Sequence, residues 1–349
     1  MNFDRSEIKN ILVRSTNWVG DAVMTTPALG AIRQSFPDAR IAILANPVVA
    51  PLFSPHPWVD EVAIYDRKGL HKGLIGRFRL ASELRERRFD LAILLQNAFD
   101  AAFITWLARI PHRMGNKSDG RGFLLTHGFP LALQPREEHQ SANYLAMLRY
   151  FDITCPEPRQ LLVTTDIEEL AMAERLAEAG ILASDFVLGI NPGATYGSAK
   201  RWTPDGFAGV AEELAAAWGA KVVITGGPGE VDIAADIEKG IAENCVNLAG
   251  KTTIRELLAL IKRCDFFITN DSGPMHVAAA FDVPLVAIFG PTDHTTTYPL
   301  AEHAMVVRES VDCAPCLKRE CPTDHRCMTA VTAEDVLMAA QELRNRVGG

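Results

Sequence analysis

Asp265-Phe266-Phe267-Ile268-Thr269-Asn270-Asp271-Ser272-Gly273-Pro274-Met275-His276-Val277-Ala278-Ala279-Ala280-Phe281 decides the fold. The run 265–269 is apolar and predicts a strand. Asp271 or Ser272 can cap a helix, and Pro274 suits its opening turn, where the missing N–H costs nothing. Residues 275–281 then predict that helix. Strand, tight turn and helix form the repeating unit of a parallel sheet, because parallel neighbours need a crossover. Working outward, the unit recurs. Strands are expected over 186–190, 221–225 and 285–289, with helices over 204–218 and 254–263. In the first half, strands over 11–13, 40–44, 61–65 and 89–95 alternate with helices over 21–36, 73–88 and 98–109. The stretch 154–160, with Pro156 and Pro158, has linker composition. The expectation is α/β: two doubly wound, Rossmann-like domains, 1–160 and 161–330. A C-terminal helix within 331–349 is expected to pack back on the first domain. Such sheets bind ligands beyond the carboxyl ends of their strands, and two facing domains would set those ends across a cleft.

The 349 residues suit two domains, and 48% apolar with 22% charged residues is ordinary globular composition. A formal net charge of −8 excludes a general nucleic-acid binder, which needs a large basic footprint. The most apolar stretch, 91–110, is interrupted by Gln96, Asn97, Asp100 and Arg109, so no transmembrane helix is expected. Residues 1–10 are polar and charged, unlike a secretory signal. With seven cysteines, an odd number, the chain reads as cytoplasmic and without a full disulfide framework.

Four turns carry candidate chemistry. Trp18-Val19-Gly20-Asp21 comes after the first strand, and Asp21 is either a partner of the helix dipole or a general base. Asn191-Pro192-Gly193-Ala194-Thr195-Tyr196-Gly197-Ser198-Ala199-Lys200 offers glycine amides, hydroxyls and a cation to an anion, although surface loops also carry such cations. Thr225-Gly226-Gly227-Pro228-Gly229-Glu230 ends in a carboxylate that suits either ribose hydroxyls or a helix N-terminus. The turn before Met275 aims a helix N-terminus at the ligand edge, a ready diphosphate site, with Ser272 and Gly273 as donors. His276 lies one turn on and is either a satisfied core histidine or a ligand contact. Ala249-Gly250-Lys251-Thr252 imitates a phosphate-binding P-loop, but Cys245 stands where that loop needs its first glycine.

Between Arg67 and Arg88 there are eight Lys/Arg and two Glu, a basic stretch inside an acidic chain. Arg85, Arg87 and Arg88 read as a solvated helix face. The rest, with Arg113 and Arg121 further on, suit an anionic partner such as a phosphorylated glycolipid at a membrane surface. Cys313, Cys316, Cys321 and Cys327 fall within 15 residues. That spacing admits a structural zinc, although the second half lacks the close pair of a usual zinc site; free or oxidised thiols and disulfides remain open.

Trp-Val-Gly-Asp at 18–21, Pro-Gly-Ala at 192–194 with Lys-Arg-Trp at 200–202, and Thr-Asn-Asp-Ser-Gly-Pro-Met-His-Val-Ala-Ala-Ala at 269–280 occur in that order. Together they resemble the ADP-heptose:lipopolysaccharide heptosyltransferases, glycosyltransferase family 9. Asn97–Arg113 and Gly122–Leu125 share the resemblance, which runs from Ile11 to about Val336. The four-cysteine segment is not a feature of every member. The resemblance implies a GT-B fold and inverting transfer of L-glycero-D-manno-heptose from ADP-heptose to the first heptose of the lipopolysaccharide inner core. It implies Asp21 as the general base. It implies a donor site of Gly193, Thr195, Tyr196, Lys200, Glu230, Asp271, Ser272, Gly273 and His276, with no cofactor needed for transfer. Arg67, Lys68, Lys72, Arg113 and Arg121 are then the expected contacts of a phosphorylated acceptor. The expected protein is a monomer in the cytoplasm, peripheral on the inner-membrane face. Other readings are a family member with a different acceptor, a sugar-nucleotide epimerase, or a non-catalytic anion- or metal-binding module.

Overall fold

Each half of the chain builds one six-stranded sheet in which every pairing is parallel. The computed structural model describes residues 4–135, 137–241 and 245–347. Two compact units result, Met1–Val163 and Thr164–Gly349.

The first sheet uses β1 (Asn10–Arg14), β2 (Arg40–Ala45), β3 (Glu61–Ile64), β4 (Leu91–Leu94), β5 (His112–Asn116) and β6 (His127–Phe129), in the order β3-β2-β1-β4-β5-β6. The second uses β7 (Val187–Asn191), β8 (Lys221–Ile224), β9 (Cys245–Asn247), β10 (Phe266–Asn270), β11 (Leu285–Ile288) and β12 (Ala304–Val307), in the order β12-β11-β10-β7-β8-β9. Reversed, the second order is the first. Both sheets therefore change direction beside their first strand, between β1 and β4 and between β7 and β10. Loops leaving the carboxyl ends at such a switch point diverge and leave room for a ligand. β4, β7, β10 and β11 are buried along their whole length, as strands covered by helices on both faces require.

The helix expected over 21–36 is two helices, Val19–Met24 and Thr26–Ser35. Pro27 has no N–H to continue the first ladder, and the hydroxyls of Thr25 and Thr26 donate to the carbonyls of Ala22 and Val23, each at 2.7 Å. The C-terminal helix, Ala333–Val347, packs on Pro204–Trp218 and on β11 and β12, within its own unit. Its buried stripe of Val336, Ala339, Ala340 and Leu343 completes the core formed by Phe207, Ile288 and Met328.

Candidate active site

The pairing of β7 with β10 brings together several of the residues expected at a donor site. Asn191 lies opposite Thr269, so the loops leaving the two strands start side by side. Side chains then lace them. Asn191 Nδ2 donates to Thr269 Oγ1 at 3.1 Å and to Ser272 Oγ at 2.9 Å. Asn270 Nδ2 donates to Pro192 O at 2.7 Å, while its Oδ1 accepts from Trp202 N at 3.0 Å. Trp202 is buried and donates Nε1–H to Val331 O at 3.0 Å, which anchors the far end of the 192–202 loop.

That scaffold holds two carboxylates against the expected anion site. Asp271 Oδ2 accepts from Lys200 Nζ at 2.6 Å and from Thr292 Oγ1, on the loop after β11, also at 2.6 Å. Glu230 is buried and accepts from Gly227 N at 2.7 Å. A Cβ at Gly193 would lie 2.0 Å from the Glu230 carboxyl carbon, so only glycine lets the loop approach this closely. Gly273–Ala280 is helical, with Ser272 at its N-cap position but making no side-chain cap hydrogen bond. Its first-turn amides face the same edge, where they favour negative charge. His276 is buried in that turn, and Thr195 and Ser198 are exposed on the facing loop.

Tyr196 joins this loop to the cysteine segment. Its hydroxyl donates to Leu317 O at 2.7 Å, and its ring lies under two cations, Lys200 Nζ at 5.1 Å and the Arg319 guanidinium at 5.3 Å. Ala199 N donates to Arg319 O at 3.0 Å, and His325 Nε2 lies 2.7 Å from Ala199 O. The amides of Cys316 and Leu317 both reach Pro291 O. Residues 316–325 therefore form a strap across the donor loop. The zinc expectation finds no support here. Among the described residues no group of three or more His, Cys, Asp or Glu is arranged to hold a metal ion. Cys313 and Cys316 are exposed, whereas Cys327 turns into the core beside Met328. Burial, followed by the charges of Cys313, Cys316 and Cys321, pushes its thiol up to about 11. All seven cysteines are free thiols, so the disulfide reading fails as well.

In the first unit, Asp21 is half-buried in the first turn of Val19–Met24, directly after β1. Tyr144 is buried nearby, and burial, aided by the Asp21 charge, pushes its hydroxyl above the usual tyrosine value. Ser141 Oγ donates to Met24 O at 2.9 Å, fixing Gln140–Tyr150 against the Asp21 helix. Arg67, Lys68 and Lys72 are exposed on a turn after β3. Arg113 and Arg121, the other expected acceptor contacts, both reach backbone carbonyls. Arg121 is fully buried and donates to the carbonyls of Asn116, Gln96 and Ala98 and to Asn97 Oδ1. Arg113 donates to the carbonyls of Leu124 and Ile110. Their guanidinium groups hold loop carbonyls in place, Ala98 O being shared with the amide of Ala101.

Several residues of these sites escaped the sequence reading. Thr292 and Arg319 reach the donor loop from distant segments with no motif of their own. Arg14 closes an apolar run, and only that misfit could have singled it out. It is buried at the end of β1, donates to Leu44 O at 3.1 Å, and lies over the Tyr65 ring at 5.5 Å. Burial pushes its guanidinium down to about 10.

Two doubly wound sheets, each with a polar cluster at its switch point, have the organisation of the GT-B fold class. The comparisons identify the family. The family model of glycosyltransferase family 9 (heptosyltransferase) matches residues 77–326. The lipooligosaccharide heptosyltransferase 2 of Campylobacter jejuni is 32% identical over 344 residues, covering 95% of this chain and 98% of its own. The lipopolysaccharide heptosyltransferase 2 of Salmonella typhimurium is 34% identical, covering 85% and 87%. The solved ADP-heptose heptosyltransferase II of Escherichia coli superposes with a TM-score of 0.83 at 28% identity, over 97% of this chain and 100% of its own. The chain belongs to glycosyltransferase family 9, the heptosyltransferases, and is an enzyme.

Proposed function

We propose that this enzyme moves L-glycero-D-manno-heptose from ADP-heptose to the first heptose of a phosphorylated lipopolysaccharide inner core, with inversion. It works as a monomer in the cytoplasm, where the lipid-anchored acceptor is exposed at the inner membrane. The observation that carries the donor side is the Lys200–Asp271 pair, set beside the N-terminus of Gly273–Ala280. The relatives named heptosyltransferase 2 support the choice of acceptor.

Sugar transfer passes through an oxocarbenium-like state while the nucleoside diphosphate gains charge as it leaves. Stabilising that charge is the main electrostatic task. Lys200, the hydroxyls of Thr195 and Ser272 and the helix amides supply it. Glu230 accepts from the ribose hydroxyls. Asp21 removes the proton of the attacking hydroxyl, which reaches the anomeric carbon from the face opposite the leaving diphosphate, so the configuration inverts.

The test is incubation with ADP-heptose and a core acceptor carrying one heptose, read by mass spectrometry. One added heptose on that acceptor, and none on a core without heptose, is the expected result. Transfer to the heptose-free core instead would assign a different acceptor, and conversion of ADP-heptose without any acceptor would assign an isomerase.

A further inference from the structure

One exposed surface lies outside the donor and general-base sites. The helix Gly73–Glu86 buries Gly76, Leu80, Ala81 and Leu84 on one face. Its opposite face changes character along its length. Ser82, Arg85 and Glu86 are exposed there, as in any surface helix. In the first turns, the exposed residues are Leu74, Ile75 and Phe78, at 63%, 86% and 55%. Leu70, on the preceding turn, is 53% exposed. Large apolar side chains grouped this way usually mark an interaction surface.

Uncompensated positive charge borders them. Arg77 pairs with Asp100, Arg79 with Glu83, and Arg87 with Glu61. Arg67, Lys68 and Lys72 make no ion pair among the described residues, and all three are exposed. The turn that carries them is rigid. The Asp66 carboxylate accepts from Lys68 N at 3.2 Å and Gly69 N at 2.9 Å, and His71 N donates to Asp66 O at 2.8 Å. Buried His71 also accepts from Asp66 N through Nδ1 at 3.1 Å. A Cβ at Gly76 would lie 2.1 Å from the His71 carbonyl carbon, so the turn is seated directly on the helix. Little ordering remains to be done when the surface is used.

We propose that turn 66–72 and the first turns of Gly73–Glu86 dock on the surface of an anionic lipid bilayer. Charge complementarity selects that occupant. A chain of net charge −8 is repelled by such a surface as a whole, so it must approach by a local cationic face. The apolar side chains then enter the boundary between headgroups and acyl chains, while the cations meet lipid phosphates. Neither signal holds a protein firmly alone, and the two together do. The proposal deepens the heptosyl-transfer reading by naming where the enzyme meets a lipid-anchored acceptor, and it rests on that reading only for its purpose.

The full-length enzyme is mixed with phosphatidylcholine vesicles, with and without phosphatidylglycerol, and binding is read by co-sedimentation without donor or acceptor. Binding is expected only with phosphatidylglycerol and should weaken with salt. The variant Arg67→Gln/Lys68→Gln/Lys72→Gln should bind about a hundredfold more weakly, at the usual contribution of a basic residue near such a surface. The variant Leu74→Ser/Ile75→Ser/Phe78→Ser should lose about tenfold or more with an unchanged melting temperature. It should still transfer sugar to a delipidated, water-soluble acceptor and slow only on acceptor held in vesicles. Wild-type enzyme that ignores anionic vesicles, or a serine variant that binds them normally, would overturn the proposal. So would a serine variant equally impaired on both acceptors, or one that converts a dimer to a monomer without altering vesicle binding. Vesicle binding needs no substrate, so absence of heptosyl transfer would refute the reaction and leave this result standing.

Discussion

Lys200 Nζ lies 2.6 Å from Asp271 Oδ2, and the two side chains are only 13% and 5% exposed. Such a pair is costly to break from one side, because the remaining charge is stranded away from water, at about 3–5 kcal/mol. Lys200→Ala is therefore expected to lower the melting temperature and to weaken ADP binding at least about tenfold. Adding Asp271→Asn removes the stranded charge and should restore much of the stability but none of the affinity. Calorimetric titration with ADP and thermal melts check both. An ADP affinity unchanged in Lys200→Ala would remove this lysine from the donor site.

Asp21→Ala should lower kcat by about 10²–10⁴, the usual range for a general base, with ADP affinity nearly unchanged. Tyr144→Phe tests the neighbourhood separately. Steady-state kinetics with ADP titration separates the two effects, and lost donor binding with unaltered turnover would contradict the role of Asp21.

Tyr196 should matter through its ring more than through its hydroxyl. Tyr196→Phe removes one hydrogen bond, to Leu317 O, worth about 1 kcal/mol. Tyr196→Ala also removes the surface under Lys200 and Arg319 and frees residues 316–325 from the donor loop. The alanine variant is expected to raise donor KM several-fold more than the phenylalanine variant. Equal effects would show that the ring does not position the cations.

Arg121 and the exposed lysines should separate by salt. Arg121→Ala leaves the carbonyls of Asn116 and Gln96 without their side-chain donor and is expected to cost about 2–4 kcal/mol of stability. Denaturant unfolding at low and high salt should give the same loss. Lys68→Ala/Lys72→Ala should leave stability intact and weaken acceptor use more at low salt than at high salt. A salt-independent effect of the lysines would point to lost packing.

Acid should weaken the second unit through Glu168. Hydrogen bonds from Arg255, and from the cap of Asp166–Glu178, hold its carboxyl down to about 2 from the ordinary 4.5. A lowered carboxyl stabilises the fold above its unfolded value. That stabilisation is lost as the pH falls from about 4.5 to about 2. It is on the order of 2–3 kcal/mol, since the side chain is 25% exposed. Glu168→Gln should lower the melting temperature at neutral pH and converge on the wild type in acid. Parallel melting curves across that range would contradict the assignment.

Local signals account for how far the fold was legible. β7 and β10 are apolar runs ended by turn residues, and the helices after them open on a Thr203 cap and on Pro274 in the first turn. These patterns depend on neighbours in sequence, so they read directly. β5, β6, β9 and β12 did not read as strands. They are short, partly exposed and polar in places, and they exist because a neighbouring strand offers a parallel ladder. The donor motifs were legible for the same local reason, since Gly193, Asp271 and Ser272 are turn chemistry.

What the sequence by itself determined is the alternation of strand, turn and helix, the placing of Asp21, Lys200, Glu230 and Asp271 at strand ends, and the resemblance to glycosyltransferase family 9. What only the tertiary structure decided is which charges are free to act. Arg121 and Lys68 look alike as letters. One is folded inward because its guanidinium donates to three carbonyls from two segments distant from each other in sequence, 96–98 and Asn116, and the other stays exposed to water. The same holds for the cysteines, whose spacing suggested a metal but whose segment became a strap over the donor loop through contacts with Tyr196, Ala199 and Pro291. Partners distant in sequence decide such outcomes, and a linear pattern carries no record of them.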